Sequence, residues 1–410
     1  MPGATDAGSI RSVLNRPAVA RTFVFALVGR LTYGLLPICF LFTIRDASGS
    51  FAVAATAMAT LGFATMAMPL QARLLDRYGQ RRVLPIYAAC FIFTMLTATA
   101  LSTSEQPNGA WVVLGLLSGL SVPALGPAMR AQWREIAEEG ADRRVAYSLD
   151  SIGEESLYLV GPLAASIVLV LGPARTGLVL ATVLIAVGTA ALVTSPYVPD
   201  RAPRTRPVTG TSTSTGHRGP MRSTQFRRLL LPMFFFGTGG AACFLGIASL
   251  ADRADQLSAV GLIEAAIAVG AIGGGLAWSR LKQEPAWTLA LVLLLLVGAL
   301  AQVGAALASP NLILVGAALV ASGLVAAPIY VVAFTASDAL TRPEQRTEAS
   351  TWVSTTMNVG NAVGTAAAGS IAGLSGAAPF IMSAALFMAS ALILGWLHRS
   401  RAATAQPIGS

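Results

Sequence analysis

Histidine is almost missing from this chain. The two present, His217 and His398, fall in a polar stretch and near the end. No histidine-based catalytic or metal cluster can therefore form in the apolar parts of the sequence. Cysteine is nearly as scarce. Cys39, Cys90 and Cys243 are an odd, scattered set, each inside an apolar run. Such a set argues against a disulfide framework or a zinc site and reads as small packing residues. Charge is thin as well: only 11% of the 410 residues are Asp, Glu, Lys or Arg, against about a quarter in an ordinary soluble domain. Lys282 is the only lysine. Apolar residues fill the space, at 54% of the chain. That balance identifies an integral membrane protein.

The formal charge of +9 would suggest nucleic acid in a soluble protein. Here the basic residues sit in short segments between apolar runs, so no basic face of a folded domain exists and no nucleic-acid partner is expected. A bilayer core takes roughly 20 apolar residues per helix. Runs of that kind occur at 20–42, 52–71, 82–102, 110–129, 146–171, 175–194, 229–250, 257–279, 286–308, 311–333, 347–373 and 377–397. The first 19 residues are polar. The run that follows continues to Phe42 and ends at Arg45-Asp46, which reads as a first membrane helix and not as a cleavable signal. With the N-terminus in the cytoplasm, all but four of the 28 basic residues fall inside. Arg45, Arg175 and Arg253 fall outside, and Arg30 lies within a helix. That bias supports both the number of crossings and the orientation.

The segment between the sixth and seventh runs is rich in Pro, Thr, Ser, Gly and Arg and cannot bury enough apolar area to fold. It reads as a flexible cytoplasmic linker, 195–228, whose basic residues rest near anionic headgroups. It joins six-helix bundles at 20–194 and 229–397, with cytoplasmic tails at 1–19 and 398–410. The two halves are weakly related at an offset that sets Gly161 opposite Gly364, and ARLLDRYGQRRV opposite GGLAWSRLKQEPAW. Two parallel repeats with a site between them form a transporter architecture.

The loop between the second and third runs reads QARLLDRYGQRRVL. It resembles the Gly-x-Leu-x-Asp-Arg-x-Gly-Arg-Arg loop of the major facilitator superfamily. Asp76, Arg77, Gly79, Arg81 and Arg82 fit that pattern, and Gln71 replaces its usual first glycine. The resemblance implies an all-α membrane fold of twelve helices in two bundles, and a gating role for this loop. Glycine at 79 permits a tight turn. Asp76 can pair with a neighbouring arginine or approach the positive end of a helix in the other bundle, latching one state of a transport cycle. The plainer reading is topological: the arginines hold the loop inside.

The stretch SIGEESLYLVGPLAA places Glu154 and Glu155 inside an apolar run. Gly161-Pro162 resembles the helix-five Gly-Pro motif of the superfamily's drug/proton antiporters, with alanines where further glycines are usual. Small residues there suit close helix packing, and Pro162 bends the helix. The wider stretch also resembles a subgroup of actinobacterial drug and metabolite exporters, which carry an acid pair before the Gly-Pro and an arginine early in helix one. Arg30 is that arginine. From the cytoplasmic ends of their helices, Arg30 lies about 15 Å deep and the glutamates about 13 Å. A charge at such depth costs about 2.5–3.5 kcal/mol, so each needs a partner or water. Adjacent helical residues point about 100° apart. Glu154, on a small-residue face, is expected to pair with Arg30. Glu155 lies on a stripe with Tyr158 and is expected to face the cavity and titrate; the reverse assignment of the two acids is the alternative. Burial opposes ionisation of a carboxyl and a nearby guanidinium favours it, so such an acid can load a proton on one side and lose it on the other. The competing reading is a static triad locking helices one and five. One departure stands out: the superfamily's antiporters often carry an arginine inside helix four, and here there is none before Arg130.

In the second half, Glu264 is an isolated acid, placed either to bind a cation in the substrate cavity or to reach outer water. Tyr330, Trp352, Asn358 and Asn361 offer stacking and hydrogen bonds to a substrate, or glue between helices. The acids outnumber the buried arginine, which favours cations. The expectation is a proton-coupled exporter of a hydrophobic or cationic small molecule, working as a monomer in the plasma membrane with protons as partner and no cofactor or metal. The alternative is an importer of a sugar or organic acid. A membrane-embedded enzyme would need a nucleophile with an adjacent base or a metal constellation, and the sequence offers neither.

Overall fold

Proline decides where the long helices break. Pro123 has no N–H to give and pushes the residue before it out of the helical region. Val122 accordingly sits at φ −54°, ψ 115°, and the fourth crossing is split in two. Pro69, in the first turn of its helix, marks a similar break in the second crossing. Pro37, Pro85, Pro162, Pro232 and Pro328 lie inside continuous helices.

The computed structural model describes residues 14, 16, 18–137, 141–198, 220–280, 286–342 and 346–404. Among them are fourteen longer α-helices and one 3-10 turn, Pro220–Arg222, and no strand. In chain order the helices are α1 Val19–Ser48, α2 Phe51–Thr65, α3 Met68–Tyr78, α4 Gln80–Leu101, α5 Asn108–Ser121, α6 Leu125–Ile136 and α7 Ala141–Leu171. They continue with α8 Arg175–Val193, α9 Thr224–Arg253, α10 Ala259–Ser279, α11 Trp287–Ala308, α12 Leu312–Ala339, α13 Arg346–Ile371 and α14 Ala378–Thr404. α2 with α3, and α5 with α6, each make one crossing, so the fold is the twelve-helix arrangement read from the sequence. Ten spans are long and apolar enough to cross a membrane by themselves, and α2 is a shorter apolar helix. α13, rich in Ser, Thr and Asn, completes the set. Phe93, Leu171 and Ile313 are 71%, 81% and 83% exposed, which suits a hydrocarbon solvent.

Several helices run past the spans expected from hydropathy. α1 continues to Ser48, where Gly49 at φ 68° ends it by donating its N–H to the Arg45 carbonyl. α7 begins at Ala141 and α6 continues to Ile136. These extra turns carry charge that a hydropathy window rejects.

The contact pattern divides the chain into two units. The first comprises the described residues within Met1–Ser50 and Ala64–Ser212. α1 runs against α7 and α8 through glycine: a Cβ on Gly29 would lie 2.6 Å from Gly188 Cα, and one on Gly34 would lie 2.8 Å from Gly161 Cα. Such approaches need small residues and give close backbone packing. Gln132 of α6 donates to Gln80 Oε1 of α4 at 3.1 Å and to the Leu192 carbonyl of α8 at 2.8 Å, adding polar glue.

The second unit comprises Phe51–Phe63 and the described residues within Thr213–Ser410. Its core gathers Phe226, Met233, Leu291, Ile329, Val353 and Phe387 from α9, α11, α12, α13 and α14. Glycines zip its helices together. A Cβ on Gly237, Gly360 or Gly364 would collide with backbone across the α9–α13 contact, and one on Gly274 or Gly323 would collide with backbone across α10–α12. Within the same unit, a Cβ on Gly369 of α13 would collide with Ala55 of α2.

Candidate functional site

The first unit holds a chain of charge that is buried at one end and exposed at the other. Arg30 of α1 is 1% exposed, and its Nη1 lies 3.0 Å from Oδ1 of Asp150 on α7, itself 3% exposed. Its Nη2 donates to the Gly126 carbonyl of α6 at 3.3 Å. Arg130 of α6 continues the chain, with Nη1 3.5 Å from Asp150 Oδ2 and 3.1 Å from Glu154 Oε2. Asp150 and Glu154 are four residues apart on α7 and therefore share a face. Arg30 and Tyr33, three apart on α1, share another. The Tyr33 hydroxyl donates to the Pro123 carbonyl and accepts from the Leu125 N–H at 3.3 Å. Both groups flank the break that Pro123 makes, so α1 supplies partners for backbone the missing helical turn leaves open.

The Arg30–Asp150 pair is close but poorly aligned. Arg30 Nε and Nη1 and Asp150 Oδ1 are buried without a well-directed hydrogen bond among the described residues. Removing charges from water costs several kcal/mol per ion unless geometry and hydrogen bonds compensate. This pair is held by proximity and not by directed hydrogen bonds.

The expected partnership was Arg30 with Glu154. The structure instead pairs Arg30 with Asp150, and Glu154 with Arg130. The reason is the earlier start of α7, which carries Asp150 to the depth of Arg30. The side chains of Glu155, Tyr158 and Asp76 lie outside the described residues. Gly161 meets Gly34 at the α1–α7 crossing, with Pro162 next to it inside α7. In the loop, Gly79 takes φ 84°, ψ 150°, a conformation that suits glycine, and joins α3 to α4. Arg77 lies over the Tyr78 ring at 5.3 Å, and Arg81 and Arg82 are exposed on the first turn of α4. In the second unit Glu264 is half-buried on α10, while Tyr330, Trp352, Asn358 and Asn361 are exposed on α12 and α13. The Tyr330 ring packs edge-on against Phe236 at 5.6 Å.

Asp150, Arg130 and Tyr33 were missed by sequence reasoning. The signal for Asp150 was its spacing of four from Glu154. The signal for Arg130 was its position immediately after a predicted membrane run.

The repeat sets apolar side chains opposite these charges. The offset of 203 residues that sets Gly161 on Gly364 also sets Gly34 on Gly237, and both pairs mark close helix crossings in their own units. At the same offset Arg30, Arg130, Asp150 and Glu154 correspond to Met233, Ala333, Val353 and Met357. All four of those residues belong to the apolar core of the second unit.

Among the described residues no three His, Cys, Asp or Glu side chains gather as a metal site. The sequence matches the family model described as Major Facilitator Superfamily over residues 20–315. No curated protein matches it. Solved structures similar in fold include the nucleoside transporter NupG, with 13% identity, TM-score 0.73, and coverage of 94% of this chain and 98% of that one. A bacterial homologue of the iron transporter ferroportin in an inward-facing state has 14% identity, TM-score 0.68, and coverage of 92% and 98%. A bacterial homologue of the human lysosomal transporter Spinster has 15% identity, TM-score 0.67, and coverage of 93% and 95%.

Proposed function

The chain belongs to the Major Facilitator Superfamily, and from that premise we propose that this multi-pass membrane transporter couples proton entry to export of a hydrophobic or cationic small molecule. One observation carries the reading: the buried Arg30–Asp150 pair, extended through Arg130 to Glu154, occupies positions that the second unit fills with apolar side chains. A charge set that packing does not require is retained for chemistry.

The mechanism follows from the pair. With Asp150 ionised, Arg30 is neutralised and held against the Gly126 carbonyl. Protonation of Asp150 removes the counter-charge, and the guanidinium must then find Glu154, water or substrate. Either change alters how α6, bearing Arg130, is held against α1 and α7. A proton arriving from one side and leaving to the other thereby biases the alternating-access cycle. Glu155, next to Glu154, is a second candidate acid. Two arginines against four acids, counting Glu264, leave the membrane-embedded set net negative, which favours cationic cargo. Glu264, Tyr330, Trp352, Asn358 and Asn361 are the candidate substrate contacts in the second unit, and Asp76 to Arg82 the candidate gate. On this reading the moving bodies are six-helix bundles at 20–194 and 229–397 joined by a cytoplasmic linker, a division by chain order that differs from the contact units in where 51–63 falls, and the plasma membrane is the site of action, with a monomer sufficient. Drug or secondary-metabolite efflux of the actinobacterial type, with antibiotic resistance as its outcome, is the physiological form.

The test uses the reconstituted protein with tetraphenylphosphonium as a lipophilic cation probe and an imposed pH gradient. Movement of the probe against its gradient should depend on the proton gradient and be lost in Asp150→Asn. Gradient-driven export by Asp150→Asn at wild-type rate would reduce the cluster to a scaffold. Probe movement in the same direction as protons would instead indicate symport.

A further inference from the structure

The sequence departs from the superfamily's loop at Gln71, and the structure shows what that departure does. In the second unit the corresponding position is Gly274, and Gly323 stands where the first unit has Leu120. There the two glycines bring α10 and α12 into backbone contact. In the first unit Gln71 of α3 is 3% exposed and stands between the helices instead, its amide donating to the Leu120 carbonyl of α5 at 3.0 Å. Its Oε1 is buried with no partner among the described residues. Beside this hydrogen bond, with Leu120 on its lining, a cavity of about 1020 Å³ lies between α3, α4 and α5.

The lining is apolar, built chiefly on Leu74, Ile86, Cys90, Phe93 and Leu117, and Arg82 is the one charged residue on it among the described residues. Ile86 and Phe93 are 63% and 71% exposed, so the groove continues onto the apolar surface. Arg82, Ile86, Cys90 and Phe93 recur on one face of α4. From Arg82 to Phe93 that face spans about 16 Å at 1.5 Å per residue. One leaflet of hydrocarbon is about 15 Å deep, half the bilayer core. The groove thus has the length of one leaflet, with a guanidinium at one end.

We propose that this groove is a binding site for an anionic phospholipid, with one acyl chain along α4 and the phosphate on Arg82. The charge decides between lipid and cargo. A lipophilic cation would meet Arg82 unfavourably, whereas a phosphate accepts hydrogen bonds from a guanidinium in a planar fork. The site is separate from the Arg30–Asp150 cluster and does not depend on the proton-coupling reading.

The test is native mass spectrometry of the purified full-length chain, titrated with dioleoyl phosphatidylglycerol or dioleoyl phosphatidylcholine. The wild type should retain one phosphatidylglycerol about fivefold more readily than phosphatidylcholine, the factor expected of about 1 kcal/mol per basic side chain. Arg82→Gln should erase the preference between headgroups. Cys90→Trp, which fills the groove from an exposed position, should abolish retention of that lipid, and normal elution of the variant as a monodisperse species shows that it has folded. Equal retention of both lipids by the wild type overturns the proposal. So does undiminished retention by a folded Cys90→Trp, or displacement of phosphatidylglycerol by tetraphenylphosphonium, which would assign the groove to cargo.

Discussion

The two units use matching helix crossings for opposite purposes. At Gly34–Gly161 and at its counterpart around Gly237 and Gly364, small residues bring a first and a fifth helix together. Beside that crossing the first unit buries Arg30 and Asp150, whereas the second buries Met233 and Val353. The glycine crossing is common to both units, and the charges belong to the first alone. In effect the second unit is a natural control for the first. Its apolar solution shows what packing alone would choose.

Making the first unit resemble the second has the largest expected effect. Asp150→Val strands the buried Arg30 charge, and losing one partner of a buried pair costs about 3–5 kcal/mol. The double variant Arg30→Met/Asp150→Val copies the second unit. It should recover stability to within about 1 kcal/mol of wild type, since buried pairs replaced by apolar groups are often neutral, while losing proton-driven transport. Thermal unfolding of the purified protein and vesicle transport read the two quantities separately. A double variant as unstable as the single one would show that the pair supports the fold after all.

How much of this was legible follows from the same contrast. The apolar runs and the placement of arginine predict twelve crossings, and the breaks fall where Pro69 and Pro123 stand. Arg30 and Glu154 were found because a charge inside an apolar run needs a reason. Asp150 and Arg130 were not, because both sat close to predicted helix ends, where charge is ordinary. The fifth apolar run begins at 146, which leaves Asp150 about one turn deep, whereas α7 starts at Ala141. The fourth ends at 129, whereas α6 runs to Ile136. Hydropathy windows stop where charge begins, so they trim away the turns that carry a charge network. Pairing is also a property of rotation about the helix axis, and a depth estimate contains none of that information. The groove at Gln71 was visible only as a substituted glycine, and its consequence needed the opposing helix.

The glycine crossings should respond alike in both units, with intermediate effects. Gly34→Ala sets a Cβ 2.8 Å from Gly161 Cα, and Gly274→Ala drives one into the Leu324 carbonyl. Overpacking of this kind costs about 1–3 kcal/mol, measurable as a lower unfolding midpoint. If only the second unit proves sensitive, the first is the looser bundle, in keeping with the cavity between its α3, α4 and α5. Gly79→Ala belongs in the same range for a different reason. Nothing lies within 4 Å of a Cβ there, so the cost of about 1–3 kcal/mol is the φ 84° conformation itself.

The smallest effect on stability is expected at the outer link of the charge chain. Arg130 and Glu154 are 44% and 42% exposed in their side chains, so solvent screens their attraction. A double-mutant cycle with Arg130→Gln and Glu154→Gln should give a coupling of about 0–1 kcal/mol. Transport should respond more than stability, because Arg130 also touches Asp150 at 3.5 Å and sets what that acid faces when Arg30 is released. In the apolar unit the matching residues, Ala333 and Met357, cannot play this part. A coupling near zero in stability, together with a shifted pH profile of export in Glu154→Gln, would mark Glu154 as a relay for Asp150. An unchanged pH profile would confine the working charge to the buried pair.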